Sequence, residues 1–199
     1  TGVNFCLFSK NAHSVDLMLF DSSEAITPVQ IISLDPRKNR TYHYWHVMVK
    51  GLMAGQLYGY RVNGPIDPGR GHRFDPEHIL LDPYAKAVVV PPENKSTTIT
   101  KKGTLVKPPR KSVVCDLSVY DWDNDRHPRT PFAQTVIYEM HVAGFTKNPN
   151  SGVAPNKRGT YAGLTEKIPY LAELGITAVE LLPVFLFDHH DGGNGLGNY

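Results

Sequence analysis

Glu139 and Glu180 are the two carboxylates whose positions could support acid–base chemistry. Each lies in an apolar run that predicts a strand, and adjacent parallel strands would bring the two side chains close. Hydrolysis of a glycosidic bond uses such a pair: one carboxyl group donates a proton, and the other attacks the sugar or activates water. Both glutamates, however, are followed by further apolar strand residues, whereas the catalytic groups of an α/β barrel lie at its carboxyl rim. We therefore predict buried carboxylates paired with cations, and no catalytic residue in this sequence.

Histidines supply the second set of candidates. His189, His190 and Asp191 could ligate a metal ion, but contiguous histidines point in different directions unless the loop folds back, and the spacing of a structural zinc site is absent. We predict a solvated loop there, with no metal and no cofactor. His141 follows a predicted strand, and two interpretations stay open for it: a structural hydrogen bond or a contact with a sugar.

Aromatic side chains could bind a sugar, because their faces complement the apolar faces of glucose. Tyr42 and Tyr44 alternate within one predicted strand and would share a face, while Trp45 would point the opposite way. One of these faces should be core. We predict that Tyr42 and Tyr44 are exposed and bind substrate; the other interpretation is that they are the core pair.

Alternation with a period of two predicts short antiparallel strands in residues 1–91, separated by polar turns. The alternating apolar residues are Val3, Phe5 and Leu7, then Val15, Leu17 and Leu19, then Trp45, Val47 and Val49, then Tyr58, Tyr60 and Val62. Many short strands of this kind are typical of an antiparallel β-sandwich. Prolines bracket the polar stretch that follows, and we predict a linker over residues 92–133.

A different periodicity begins in residues 134–199. Apolar runs at 135–141 and 178–184 predict two strands, and the stretch between them predicts a helix that ends at Gly175. The apolar face of that helix is predicted to hold Leu164, Ile168, Leu171 and Leu174. Pro169 lies inside the pattern and predicts a kink or a new first turn. Strand, helix and strand together predict a parallel βαβ unit with a right-handed crossover.

Long strings of this sequence resemble the isoamylase-type glycogen and starch debranching enzymes of the α-amylase clan. GVNF resembles the first module strand of that family, and YGYRVNGPIDPGRGHRFDP with ILLDPYAKAV resembles the junction between its N-terminal sandwich and linker. VIYEMHVAGFT, SGVAPNKRGTYAGLTEKIPYLAELGITAVELLPV and the closing GNY resemble the start of its catalytic barrel. The resemblance implies a multidomain β plus α/β fold. A glucan-binding type of sandwich would be followed by the first βαβ unit of a truncated (β/α)8 barrel.

The resemblance also implies a function. Members of this family hydrolyse α-1,6 branch points of glycogen or starch-like glucans by a retaining double displacement, without a cofactor. The catalytic Asp, Glu and second Asp of the clan come from later strands, and a barrel of about 250 residues exceeds what residues 134–199 supply. Tyr199 would neighbour the family's sugar-binding platform. A glucan-branching or trehalose-forming relative and a non-catalytic glucan-binding fragment are the alternatives.

Bulk properties fit this interpretation. A net charge of +2 over 199 residues demands neither nucleic acid nor an anionic membrane as a partner. Cys6 and Cys115 make no disulfide framework and favour a reducing compartment, which would be the cytoplasm, or the plastid stroma in a plant. We find neither a signal peptide nor a membrane-spanning run, and the opening GVNF already reads as a strand, so we expect both ends to be cut.

Overall fold

The computed structural model describes residues 1–91 and 108–185, and the backbone of residues 98–99 and 105–106. The chain divides into two compact units, Thr1–Asp121 and Trp122–Tyr199. Each unit has its own secondary structure. No helix in the described ranges is long and apolar enough to cross a membrane.

The first unit is built from short strands, most of them antiparallel. Its strands are β1 (Gly2–Phe8), β2 (Ser14–Phe20), β3 (Gln30–Ser33), β4 (Arg40–Thr41), β5 (Tyr44–Lys50), β6 (Leu57–Asn63), β7 (Ile66–Asp67), β8 (His72–Arg73), β9 (Ala87–Val89), β10 (Thr98–Ile99), β11 (Leu105–Val106) and β12 (Lys111–Val113). One sheet has the order β1-β5-β4 and a second has the order β3-β2-β6-β12-β9. The antiparallel prediction is confirmed.

Both larger sheets contribute to one hydrophobic core, an arrangement consistent with a sandwich. Its fully buried members include Val15, Leu17, Trp45 and Tyr60, and Phe5 packs edge-on against Tyr58 with ring centroids 4.9 Å apart. These are the inward residues that the alternation predicts. Non-directional burial of apolar area is therefore what fixes the register of these strands, since a slip by one residue would expose every one of them.

The opposite face of β2 is buried as well, which the alternation did not predict. Met18 and Phe20 are nearly inaccessible, and the Lys111 ammonium lies 4.8 Å from the centroid of the Phe20 ring. Lys111 Nζ donates to the carbonyl oxygens of Ser23 (2.9 Å) and Pro109 (3.1 Å). Burial lowers the pKa of this lysine, while nearby Asp21 raises it. A charged residue is thus accommodated in the interior by two carbonyls and an aromatic face.

The segment after β6 returns alongside that strand and forms an antiparallel bridge with it at Leu80. Leu80 exchanges two main-chain hydrogen bonds with Tyr60, at 2.7 and 2.9 Å. Gly59 permits this approach, because a Cβ at that position would come within 2.7 Å of Ile79 Cγ2. These two hydrogen bonds anchor the segment to β6. They therefore fix the position of Asp82 and Tyr84, which follow Leu80 closely in the chain.

The second unit contains the predicted parallel strands. Its elements are β13 (Ile137–Met140), α1 (Val142–Lys147), α2 (Tyr161–Thr165), α3 (Ile168–Glu173) and β14 (Ala178–Leu181). β13 and β14 pair in parallel, from Ile137 opposite Ala178 to Met140 opposite Leu181. Both strands are shorter than the apolar runs 135–141 and 178–184 indicated.

Pro169 interrupts the predicted helix as expected. α2 ends at Thr165, and α3 restarts at Ile168 with the proline in its first turn, where a missing N–H costs nothing. The predicted four-residue apolar face is wrong in part, because Leu171 is buried while Ile168 and Leu174 are more than half exposed. Ile168 and Leu174 flank Leu171 on the surface of this short helix. Only Leu171, between them, is covered by the rest of the unit.

Gly163 lies in close contact with the loop that precedes its helix. A Cβ there would lie 2.3 Å from the Lys157 carbonyl oxygen and 3.0 Å from Thr146 Oγ1. Thr146 is fully buried, and its hydroxyl accepts a hydrogen bond from Gly159 N–H at 2.8 Å. The loop between α1 and α2 thus packs directly against the backbone of α2 at Gly163, where any side chain would collide with it.

We expect Gly163→Ala to destabilise the second unit by about 1–3 kcal/mol, because the backbone must shift to admit the methyl group. Hydrogen exchange followed by mass spectrometry should show faster exchange in residues 122–185 and no change in residues 1–91. Gly144→Ala is the matched control, since the nearest atoms to its Cβ lie at 3.6 Å. Equal effects of the two substitutions would contradict this account of the contact.

Candidate functional site

The β4–β5 hairpin places Tyr42 differently from the prediction. Thr41 pairs with Tyr44, so Tyr42 and His43 form a two-residue turn, and Tyr42 has φ +58°. The prediction that Tyr42 and Tyr44 alternate along one strand is therefore wrong. Two-residue turns with a positive φ at the first central position usually carry glycine there. Because Tyr42 occupies that position here, the sequence carried no signal for the chain reversal.

Arg40 holds this turn. Its Nε donates to the Tyr42 carbonyl oxygen at 3.0 Å, and its Nη2 donates to the Lys10 carbonyl oxygen at 3.2 Å. The guanidinium also lies 4.9 Å from the centroid of the Trp45 ring. Trp45 is fully buried, so the core face of β5 is the one that carries Trp45. These contacts stabilise a left-handed tyrosine backbone that would otherwise be costly.

Four neighbouring rings form an exposed surface that we name the aromatic cluster: Phe8, Tyr42, His43 and Tyr44. The Tyr42 and His43 rings lie 3.7 Å apart between centroids and are tilted by 38°. Phe8 forms T-shaped contacts with His43 (6.0 Å) and Tyr44 (5.3 Å). Tyr42 is 78% exposed, and Phe8 and Tyr44 are each nearly half exposed. Sequence reasoning missed Phe8 and His43, although Phe8 is an aromatic residue at an outward position of β1.

A groove of about 330 Å³ begins at this cluster and follows β1; we name it the β1 groove. Its β1 side includes Asn4, Cys6, Phe8 and Tyr44, and its opposite side includes Asp82, Tyr84 and Lys86. Phe8 and Tyr44 belong to both the cluster and the groove. The two features therefore form one continuous aromatic surface on the first unit.

Asp82 fixes the far side of the groove through three hydrogen bonds. Its carboxylate accepts from the Tyr58 hydroxyl and from Tyr84 N–H, both at 2.8 Å, and its own N–H donates to Ser112 Oγ at 2.9 Å. Burial, then the hydrogen bond to Asp82, raises the pKa of Tyr58 well above its ordinary value. Burial likewise raises the pKa of Tyr60, whose buried hydroxyl has no hydrogen-bond partner among the described residues.

His141 caps helix α1. Its Nδ1 accepts a hydrogen bond from Gly144 N–H at 3.1 Å, so a neutral ring carries its proton on Nε2, and that group can donate to another acceptor. The structural interpretation of His141 accounts for one ring nitrogen, and a sugar contact stays a prediction. Tyr199, His189, His190 and Asp191 lie outside the described residues.

Glu139 and Glu180 lie directly opposite each other in the parallel pair. Both side chains are exposed, and neither forms an ion pair within the described part of the chain, so the prediction of buried, paired carboxylates is wrong. The physical reason is that only two described strands make up this sheet, and no described element covers the face that carries them. Over the same residues, no three His, Cys, Asp or Glu side chains converge as a metal site.

Comparison with known proteins defines the class to which the first unit is similar. Residues 1–85 match the family Carbohydrate-binding module 48 (Isoamylase N-terminal domain). This span contains the whole aromatic cluster and most of the β1 groove. The predicted resemblance to isoamylase-type debranching enzymes is confirmed.

Individual relatives extend the similarity to both units. Isoamylase 3, chloroplastic, from Oryza sativa subsp. japonica is 45% identical over 201 residues, covering 94% of this chain and 24% of that protein. A glycogen debranching enzyme from Yersinia enterocolitica is 40% identical over 200 residues, covering 92% and 28%. The chain thus spans about a quarter of the length of these relatives. Among solved structures, a pullulanase from Paenibacillus barengoltzii in complex with maltohexaose and α-cyclodextrin gives a TM-score of 0.64 at 26% identity, covering 94% of this chain and 26% of that one.

Tyr58→Phe and Tyr60→Phe each remove one phenol hydroxyl, but we expect opposite effects on the stability of the first unit. Tyr58→Phe removes a hydrogen bond to a carboxylate and should lower the free energy of unfolding of the first unit by about 1.5–3 kcal/mol. Tyr60→Phe removes a buried hydroxyl without a partner and should be neutral or stabilising. Urea unfolding followed by tryptophan fluorescence measures both, and a larger loss from Tyr60→Phe would contradict the hydrogen-bond assignment.

The raised tyrosine pKa values also predict alkaline unfolding. The folded chain holds these phenol protons more tightly than the unfolded chain, in which the ordinary value is 10.0. Stability from this source is therefore complete below pH 10 and is lost as the pH rises above it. Urea midpoints measured between pH 8 and pH 11 should fall less steeply in Tyr58→Phe than in the wild type. Parallel curves would show that Tyr58 does not contribute.

Proposed function

We propose that this chain is the N-terminal part of a debranching glycoside hydrolase that cleaves α-1,6 branch points in glycogen or starch-like α-glucans. The observation that carries the proposal is 45% identity to a plant isoamylase over 94% of the chain, because this similarity spans both compact units. Residues 1–91 together with β12 would form the glucan-binding sandwich, because β12 pairs with β6 and β9 although it lies in the predicted linker 92–133. The rest of 92–133 would be the linker, and 134–199 the start of the (β/α)8 barrel. The parent would act in the cytoplasm, or in the plastid stroma of a plant.

The parallel β13–β14 pair supports the barrel assignment. Helices join its strands in the strand–helix–strand order of a (β/α)8 barrel. Its apolar residues Ile137, Val179 and Leu181 are exposed, which is expected if further strands and helices of the parent cover them. The reaction would be a retaining double displacement, in which an aspartate attacks the anomeric carbon and a glutamate protonates the leaving oxygen. Water then releases the sugar. We place these acids on later strands of the parent's barrel.

The aromatic cluster is the proposed glucan contact of the sandwich. Tyr42 keeps a costly left-handed backbone at a turn position where glycine is preferred, and it presents its ring to solvent. Such outliers are concentrated at binding sites, where the side chain is needed. Each stacked ring contributes about 0.5–1.5 kcal/mol, so millimolar affinity for short glucans is expected.

The activity of the parent protein is tested on glycogen and on linear amylose. The proposal predicts release of linear chains and new reducing ends from glycogen, and none from amylose. Equal hydrolysis of amylose would indicate an α-1,4 specificity, and new branch points would indicate a branching enzyme; either result contradicts the proposal. The 199-residue chain alone should release no reducing ends from either substrate.

Tyr42→Gly should separate binding from stability. Glycine suits the positive φ, so the free energy of unfolding should stay unchanged or rise by up to about 1 kcal/mol. Loss of the ring should weaken maltoheptaose binding, measured by amide shifts in an NMR titration, about three- to tenfold. Tyr161→Ala, which removes an exposed ring from the second unit, is the control and should bind as the wild type does. Unchanged affinity in Tyr42→Gly would exclude Tyr42 from the contact.

A further inference from the structure

We propose that the β1 groove is a glucan subsite continuous with the aromatic cluster, in which an α-1,4-linked chain lies along the free edge of β1. Its sugar rings stack on Tyr84 and Phe8, and its hydroxyl groups bond to free main-chain groups of Asn4 and Cys6. The inference rests on the proposed function, since it names where on the sandwich the glucan lies.

The hydrogen-bond pattern of β1 shows which of its groups are free. Ser9 N–H donates to the His43 carbonyl at 2.9 Å, and Gly51 N–H donates to the Thr1 carbonyl at 3.3 Å. In an antiparallel pair, residues bonded to the partner alternate with residues whose N–H and C=O point away. The odd-numbered residues of β1 therefore bond to β5, and Asn4, Cys6 and Phe8 direct their main-chain groups to the other edge.

Among the described residues, that edge has no strand partner. β1 pairs only with β5 in the described sheets, and no described hydrogen bond uses the main-chain groups of Asn4, Cys6 or Phe8. These donors and acceptors recur every second residue, about 6.8 Å apart, along one side of the groove. A bound molecule with many hydroxyl groups can satisfy both kinds, because each hydroxyl donates and accepts.

The opposite side of the groove provides a stacking surface. Tyr84 is 69% exposed, yet its backbone is fixed, since its N–H donates to the Asp82 carboxylate. A ring on a fixed backbone loses little conformational freedom when it stacks, which favours binding. With Phe8 and Tyr44 on the β1 side, the groove has aromatic residues on both sides.

The charges favour a neutral occupant. The Asp82 carboxylate already accepts two hydrogen bonds, and Lys86 is the one other charged side chain among the residues that line the groove. A peptide strand from a second copy of this chain is the competing occupant of an open edge. We favour the glucan because aromatic rings line both sides and because Phe8, Tyr44 and Tyr84 all fall within the carbohydrate-binding family match.

The test titrates maltoheptaose into the full 199-residue chain and compares four variants by calorimetry or amide shifts. Tyr84→Ala should weaken binding about three- to tenfold, through the loss of one stacking ring. Cys6→Pro removes an N–H that points away from β5, a change that edge strands tolerate, and should weaken binding several-fold. Tyr42→Gly should weaken binding as stated above, whereas Tyr161→Ala, which lies outside the groove, should bind as the wild type does.

The outcomes separate this inference from the proposed function. If the wild type binds and Tyr42→Gly weakens binding while Tyr84→Ala and Cys6→Pro do not, the groove is not the subsite and the proposed function stands. If the wild type does not bind maltoheptaose, the glucan-binding role fails as well. If sedimentation shows a dimer that Cys6→Pro abolishes and maltoheptaose leaves intact, the edge pairs with a second copy and the glucan assignment is overturned. Urea unfolding of Cys6→Pro checks its fold, and Tyr84→Ala decides the test if that variant does not fold.

Discussion

The Asp82 carboxylate is the point on which the first unit and its candidate site both depend. It receives the Tyr58 hydroxyl and Tyr84 N–H, and the Asp82 main chain bonds to Ser112. Tyr58 belongs to β6 and packs against Phe5 in the core, whereas Ser112 belongs to β12. One aspartate thereby joins two strands and the segment before β9. Because Tyr84 follows Asp82 by two residues, the contact that closes the core also holds one side of the groove in place.

The open edge of β1 adds the second constraint. Natural proteins protect exposed edges with charges, prolines or bulges, and the sequence of β1, GVNFCLF, has neither charge nor proline. An edge without such protection favours pairing or ligand binding. The hairpin turn at Tyr42 adds a third feature of the same kind, since a glycine there would fold more easily and bind less. The free edge of β1, the Tyr42 turn and the β1 groove all adjoin Phe8. A shared role in binding one glucan is the simplest physical explanation for all three.

Local pattern predicted much of the fold. Alternation identified the core residues of β1, β2, β5 and β6, and Pro169 and Gly175 marked where helices restart and end, because these signals act within a few residues. The misses arise where distant segments meet. Lys111 covers Phe20 from 91 positions along the chain, and Asp82 reaches Tyr58 over 24 positions. Neither contact produces a periodic pattern in the sequence, and the turn at Tyr42 lacks the glycine by which such a turn is predicted. The groove was therefore not predictable, although Tyr44 on its margin was.

Isotope-filtered NOE spectroscopy of the labelled chain saturated with unlabelled maltoheptaose tests the central claim most directly, because it reports which side-chain protons lie within a few ångströms of the sugar. The account predicts contacts from glucose protons to the rings of both Tyr84 and Phe8, continuing to Tyr42. Contacts confined to other surfaces of the chain, with none to Tyr84 or Phe8, would contradict it.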